Sequence, residues 1–212
     1  MLGANDGIVS TASILLGVAA SGAERSALLT AGMAGLVAGS VAMAVGEYVS
    51  VASQRDTERS DIAKESWELQ NEAEHELDEL TAIYTARGLD RDLARQVAVQ
   101  LTERDALGAH LRDELGIEQH DLARPVQAAA SSAASFGVGA ALPLIAAAVS
   151  SRSTRIGVIL AVALLALVAL GVAGAKVGGA KVTRPIVRIV VGGVLAMAFT
   201  MLVGKVFGAA VG

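Results

Sequence analysis

The chain has 212 residues, a mean hydropathy of +0.55 and 53% hydrophobic residues but only 3% aromatic ones, a composition suited to helices that pack closely in lipid. It contains no cysteine, which excludes disulfides, thiolate metal sites and cysteine nucleophiles. Eighteen of the 21 acidic residues, nine of the 17 Lys and Arg and all three His lie between Val51 and Arg124, so that segment carries −9 and the remainder, by subtraction from the net −4, carries +5. A water-soluble block is therefore set into a membrane protein, and its acidity argues against nucleic-acid binding.

The first apolar stretch, Gly7 to Ala23, is short for a bilayer of about 30 Å unless Met1 to Asp6 extend it, which places Asp6 in or near the membrane. It lacks the basic flank of a cleavable signal peptide and reads as a first span. A minimal loop, Glu24 to Ser26, leads to a second span from Ala27 to about Ser50 that carries Met33, Met43 and Glu47. The second span is expected to continue as a polar helix, because no Gly or Pro interrupts the chain until Gly88. After Gly88, Asp90 is placed to cap a helix, and a further amphipathic piece from Glu103 to Leu115 ends at Gly116. Val126 to Val149, with Pro143 inside, Ile156 to Val177, and Ile186 to about Val211 complete five spans.

The expected fold is all-α: a polytopic membrane protein with five transmembrane helices and a cytoplasmic three-helix bundle inserted between helices 2 and 3. Its divisions are 1–50 for the first two spans, 51–124 for the metal-binding helical block and 125–212 for the last three spans. The flanking basic residues set the orientation: Arg55, Arg59, Arg124, Lys176, Lys181, Arg184 and Arg188 fall on the side of the polar block, against Arg25, Arg152, Arg155 and Lys205 opposite.

Within the block, Glu65, Glu68, Glu72, Glu76 and Glu79 are spaced three, four, four and three residues apart, which on one continuous helix forms a single stripe. Like charges at i,i+4 repel by a few tenths of a kcal/mol each, and Lys64 is the only cation close by in sequence. The stripe is either a solvated face or a cation site. A second cluster, His110, Asp113 and Glu114, favours the cation site, because His110 and Glu114 share a helix face. Oxygen and nitrogen ligands without thiolate suit Mn(II) and Fe(II), with Zn(II) possible and Mg(II) or Ca(II) less favoured. His75 and His120 read as surface residues, and Trp67 as a packing or interfacial one.

Ionisable residues within a membrane point to function, and Asp6 and Glu47 are the candidates, with helix capping and an interfacial position as their structural alternatives. Met43 lies one turn before Glu47, so a thioether and a carboxylate share a face that suits a borderline metal.

ANDGIVSTASILLGVAAS, VAMAVGEYVSVASQRDTERSDIAKE and ARPVQAAASSAASFGVGAALPL resemble the vacuolar iron transporter family, including its bacterial and nodulin-like members, over nearly the whole chain. The GEYVSVASQRD block occurs together with Glu-x2-Glu-x7-Glu-x2-Glu, which makes the resemblance specific. It implies a five-span homodimer with a metal pathway between protomers, a cytoplasmic metal-binding domain, and export of Fe(II), often also Mn(II), to a vacuole or the cell exterior in exchange for protons. Position by position it assigns metal binding to Glu65, Glu68, Glu76, Glu79 and Glu114, and the pathway to Asp6 and Met43. His110 and Leu111 stand where fuller members carry methionines, which trades sulfur for nitrogen and shifts selectivity toward Mn(II) or Zn(II). Gly35 stands where some members carry an acidic residue, which leaves Glu47 to take that role. The basic lead-in usual in the family is missing before Met1, through a different start site or truncation.

The expected function is divalent metal export for iron and manganese homeostasis and detoxification, with metal gathered by Glu65, Glu68, Glu76, Glu79, Glu114 and His110 and passed along Asp6, Met43 and Glu47. Glu72 and Asp113 are possible additional ligands, and no cofactor is expected beyond the transported metal. The alternative is a metal-responsive membrane regulator or scaffold. No nucleophile, triad or phosphate loop suggests an enzyme. The Ala, Gly, Val and Arg bias points to a bacterial plasma membrane, with a vacuolar or other organellar membrane as the alternative.

Overall fold

The computed structural model describes residues 2–118, 122–179 and 181–211; His120 lies outside them. Among the described residues there are seven helices and no strand: α1 (Leu2–Ala20), α2 (Arg25–Asn71), α3 (Ala73–Ala86), α4 (Arg91–Asp113), α5 (Pro125–Val149), α6 (Arg155–Val177) and α7 (Thr183–Val211). Five of them, α1, α2, α5, α6 and α7, are long and apolar enough to cross a membrane, as the hydropathy pattern predicts. The chain divides into two compact units, 1–47 with 126–212, and 48–125.

In the first unit α1 is the helix that the others shield. It has the lowest hydropathy of the five spans, 1.2, yet the largest buried share, 50%. Its core residues Ile8, Ala12, Leu15 and Leu16 pack with Leu144, Ile159, Leu167 and Met197 from α5, α6 and α7. A span wrapped by other spans need not be apolar all round, because its polar side chains face protein instead of lipid. Close approach depends on glycine. A Cβ on Gly7 would lie 2.2 Å from the Phe136 carbonyl oxygen, and one on Gly204 would lie 2.0 Å from that of Gly17. Gly35 and Gly39 play the same part on α2, where an added Cβ would meet Ile14 and the Phe136 ring. The turn after α1 uses Gly22 at φ +83. It is tied to the α5–α6 connection by Arg152, which reaches Glu24 at 3.3 Å and the Gly22 carbonyl at 3.3 Å, and by a hydrogen bond from Arg25 to the Ala148 carbonyl.

In the second unit α2 continues the second span as a polar helix, as expected, but only to Asn71. The uninterrupted helix to Gly88 is corrected here: Glu72 leaves helical geometry at φ −132, ψ 34, and α3 begins at Ala73. α3 then packs on α4 around Leu80, Tyr84, Ala94, Ala98 and Ala109. Gly88 (φ +104) and Gly116 (φ +66) end α3 and α4 in the left-handed region that glycine tolerates. Asp90 caps α4 by accepting the Leu93 amide at 3.0 Å. Within α4, Asp105 is extended (φ −165, ψ 84) and caps the following turns through the Gly108 amide at 3.0 Å, so the amphipathic piece containing His110 runs at a new angle. The bend turns His110 inward, where it is fully buried.

Candidate metal centre

The break at Glu72 is what assembles the site. On a continuous helix Glu65 and Glu76 would stand about 16 Å apart, from eleven residues at 1.5 Å each. In the folded unit Glu65 Oε1 lies 3.0 Å from His110 Nδ1 and Glu76 Oε2 lies 3.6 Å from the same nitrogen. Glu114 Oε2 joins them at 3.1 Å, from one turn beyond His110 on α4. The ligand atoms of Glu65, Glu76, His110 and Glu114 all lie within 4.8 Å of one another. Adjacent ligand atoms on a first-row divalent ion, each about 2.1 Å from it, stand roughly 3.0–3.4 Å apart, a spacing that the His110 contacts to Glu65 and Glu114 already have.

The electrostatics suit a cation. Glu65 and Glu76 are almost fully buried, while Glu114 keeps 24% of its side-chain exposure. Among the described residues no Lys or Arg lies within ion-pairing distance of these three carboxylates, since Lys64 pairs with Glu68 at 3.0 Å instead. Burial pushes the Glu65 carboxyl up to about 7, and the neighbouring Glu114 and Glu76 charges push the same way against the pull of His110. Glu79 is raised for the same reasons, first by burial and then by Glu114 and Glu76. The His110 Nε2 atom is buried with no hydrogen-bond partner. Nδ1 is therefore the ring nitrogen that faces the three carboxylates.

The remaining candidates in this unit divide. Glu68 and Glu79 flank the cluster from α2 and α3 without joining it, and Glu72 is exposed at the break. Asp113 is turned away. Its Oδ2 accepts from Tyr84 Oη at 2.7 Å and Arg112 at 2.8 Å, and its Oδ1 from Arg87 at 2.6 Å. Burial raises the Asp113 carboxyl, but these three donors outweigh it and hold it down at about 2. Asp113 thus clasps the end of α4 to α3. His75 is exposed, as expected of a surface residue, but its Nδ1 lies 3.6 Å from Glu76 Oε1, a proximity that sequence reading passed over although His75 adjoins Glu76 and follows Glu72 by three.

In the first unit Asp6 and Asn5 line a cavity of ≈ 600 Å³ between α1, α6 and α7, together with Arg188 and the small residues Gly171, Gly174 and Gly192. Met43 and Glu47, both partly buried on α2, do not line it. α1 also carries the buried oxygens Asn5 Oδ1, Ser10 Oγ, Thr11 Oγ1 and Ser13 Oγ, none of which has a hydrogen-bond partner among the described residues.

The VIT family model matches residues 1–205. The chain belongs to the VIT family. Among similar curated proteins are the vacuolar iron transporter of Acanthamoeba castellanii, 46% identical over 96% of this chain and 76% of its own length, and vacuolar iron transporter homolog 1 of Oryza sativa subsp. japonica, 40% identical over 98% and 72%. Vacuolar iron transporter homolog 2.1 of Arabidopsis thaliana is 36% identical over 99% of this chain and 80% of its own length. This VIT-family chain is thus a multi-pass membrane protein of a transporter family, not an enzyme.

Proposed function

We propose that this VIT-family protein exports cytosolic Fe(II) or Mn(II) as a homodimer in exchange for protons, in iron and manganese homeostasis and detoxification. The observation that carries the reading is the convergence of Glu65, Glu76, His110 and Glu114 within 4.8 Å, in a chain of this family with five candidate spans. The unit 48–125 acts as a cytoplasmic metal-binding bundle, with Glu68 and Glu79 steering cations to Glu65, Glu76, His110 and Glu114. Nitrogen at His110, with carboxylate oxygen elsewhere, favours Mn(II) and Fe(II) and admits Zn(II). Asp6, with Met43 and Glu47 on α2, forms the membrane pathway, and protons arriving from the far side release the metal there. The basic residues flanking the spans, seven on the side of the polar block (Arg55, Arg59, Arg124, Lys176, Lys181, Arg184 and Arg188) against four opposite (Arg25, Arg152, Arg155 and Lys205), support the cytoplasmic placement through the positive-inside rule.

The test is metal uptake into proteoliposomes with an inside-acidic gradient. Wild type moves Fe(II) and Mn(II). Asp6→Asn abolishes flux without changing metal binding, and Glu65→Gln with Glu76→Gln lowers flux at limiting metal. Metal binding without any flux would instead make the protein a metal-responsive regulator or scaffold. Flux indifferent to the pH gradient would remove proton exchange.

A further inference from the structure

Two arginines open α7 where the helix itself disfavours them. Cations are stabilised at the C-terminal end of a helix and not at its N-terminal end, so Lys176 in the last turn of α6 is well placed and Arg184 in the first turn of α7 is not. That turn carries no acidic residue, and Arg188 follows four residues later on the same face, where two like charges repel. No described carboxylate relieves them. The chain has no Asp or Glu after Asp121, and among the described residues none lies within ion-pairing distance of Lys181, Arg184 or Arg188.

Both arginines border open space. Thr183, Arg184, Val187 and Arg188 line a hollow of ≈ 420 Å³, and Arg188 also lines the ≈ 600 Å³ cavity between α1, α6 and α7. Beyond Arg188 the walls that α6 and α7 give this cavity are small or apolar, among them Leu170, Gly171, Ile189 and Gly192, and a Cβ added to Gly192 would meet nothing within 4 Å. An apolar trough thus begins at a pair of cations. Because α6 and α7 are both candidate spans, the connection between them lies at a membrane surface, where headgroups give way to acyl chains. We infer that Arg184 and Arg188 bind the phosphate of an anionic phospholipid and that one of its acyl chains lies in the trough past Gly192. Guanidinium groups fit phosphate oxygens through paired N–H donors, and basic pockets between spans seat acidic headgroups. Asp6, across the cavity on α1, repels an anion, which keeps the phosphate on the α7 side. Orientation by positive charge alone would require neither the N-terminal position nor the trough.

The experiment uses the full chain, delipidated in detergent micelles, with phosphatidylglycerol and phosphatidylcholine of identical chains as probes and native mass spectrometry as the readout. Wild type binds one phosphatidylglycerol per chain about thirtyfold more tightly than phosphatidylcholine, the preference expected of two basic side chains at one acidic headgroup. Arg184→Gln with Arg188→Gln, both at exposed positions, brings the two lipids to within about threefold of each other, and Lys205→Gln, farther along α7, leaves the preference unchanged. Gly192→Leu weakens both lipids alike, since it fills the trough and not the phosphate seat. Equal affinity of wild type for the two lipids overturns the site without any variant, as does a preference that survives in the double variant or falls equally in Lys205→Gln. Inorganic phosphate that displaces phosphatidylglycerol at equal concentration would make the arginine pair a seat for a free anion and overturn the lipid. Each of these failures leaves the metal reading as it stands.

Discussion

A cation bound at the buried cluster, as proposed, would displace the proton that Glu65 retains on the acid side of neutrality, and Glu65→Gln tests that linkage. The Glu65 carboxyl is raised from 4.5 to about 7, and at 1.36 kcal/mol per pH unit that shift corresponds to about 3 kcal/mol. A folded-state value above the unfolded one means that the contribution of Glu65 to stability is fully present below pH 4.5 and is lost as pH rises through about 7. The metal-free wild type therefore loses about 3 kcal/mol between pH 4.5 and 8 that Glu65→Gln, neutral at every pH, does not lose. Mn(II) at about 100 times its Kd returns roughly 2.7 kcal/mol to the wild type at pH 8 and little to the variant. Below pH 7 the apparent affinity of the wild type falls up to tenfold per pH unit, since one proton is exchanged per ion bound. Trp67, the single tryptophan and on α2 two residues beyond Glu65, reports the unfolding by fluorescence in detergent with EDTA or Mn(II). Parallel pH profiles for wild type and Glu65→Gln, or equal stabilisation of both by Mn(II), would refute the linkage.

The other expectations concern separate parts of the molecule. Asp113→Asn removes the anion that Tyr84, Arg87 and Arg112 share and destabilises the second unit by about 1–3 kcal/mol with metal stoichiometry unchanged; a lost ion in dialysis would make Asp113 a ligand after all. Because its carboxyl is depressed to about 2, its stabilising contribution is present above pH 3.8 and is lost as pH falls toward 2. Gly7→Ala drives a methyl group onto the Phe136 carbonyl at 2.2 Å and costs about 1–3 kcal/mol or more; its midpoint in a detergent thermal scan drops well below that of Gly46→Ala, where nothing lies within 4 Å, and equal midpoints would mean that α1 and α5 do not approach so closely. His110→Met replaces nitrogen by sulfur in the buried cluster and moves preference from Mn(II) toward softer ions, measured as the ratio of Mn(II) to Co(II) affinities; an unchanged ratio would remove His110 from the shell.

Local composition was enough for the spans. Ile156 to Val177 or Val126 to Val149 must be helical and shielded from water whatever their neighbours, because an apolar run of that length has no other stable place in or near lipid, and the structure has helices there. The stops at Gly88 and Gly116 and the Asp90 cap were likewise legible, since each depends on one residue's backbone freedom or side-chain reach. Tertiary structure decided where the glutamates stand. Glu72 carries no breaker signal, so a helix running to Gly88 was the local expectation; in the structure the chain breaks there and α3 packs on α4 around Leu80 and Tyr84. That packing brings Glu65, Glu76, His110 and Glu114 from three helices to one point, and it divides the five-glutamate stripe into members inside, beside and outside the cluster. Residue types and helical spacing state which ligands are available, but the distance between helices is a property of the packed core, and it is this distance that separates a metal centre from a solvated acidic face.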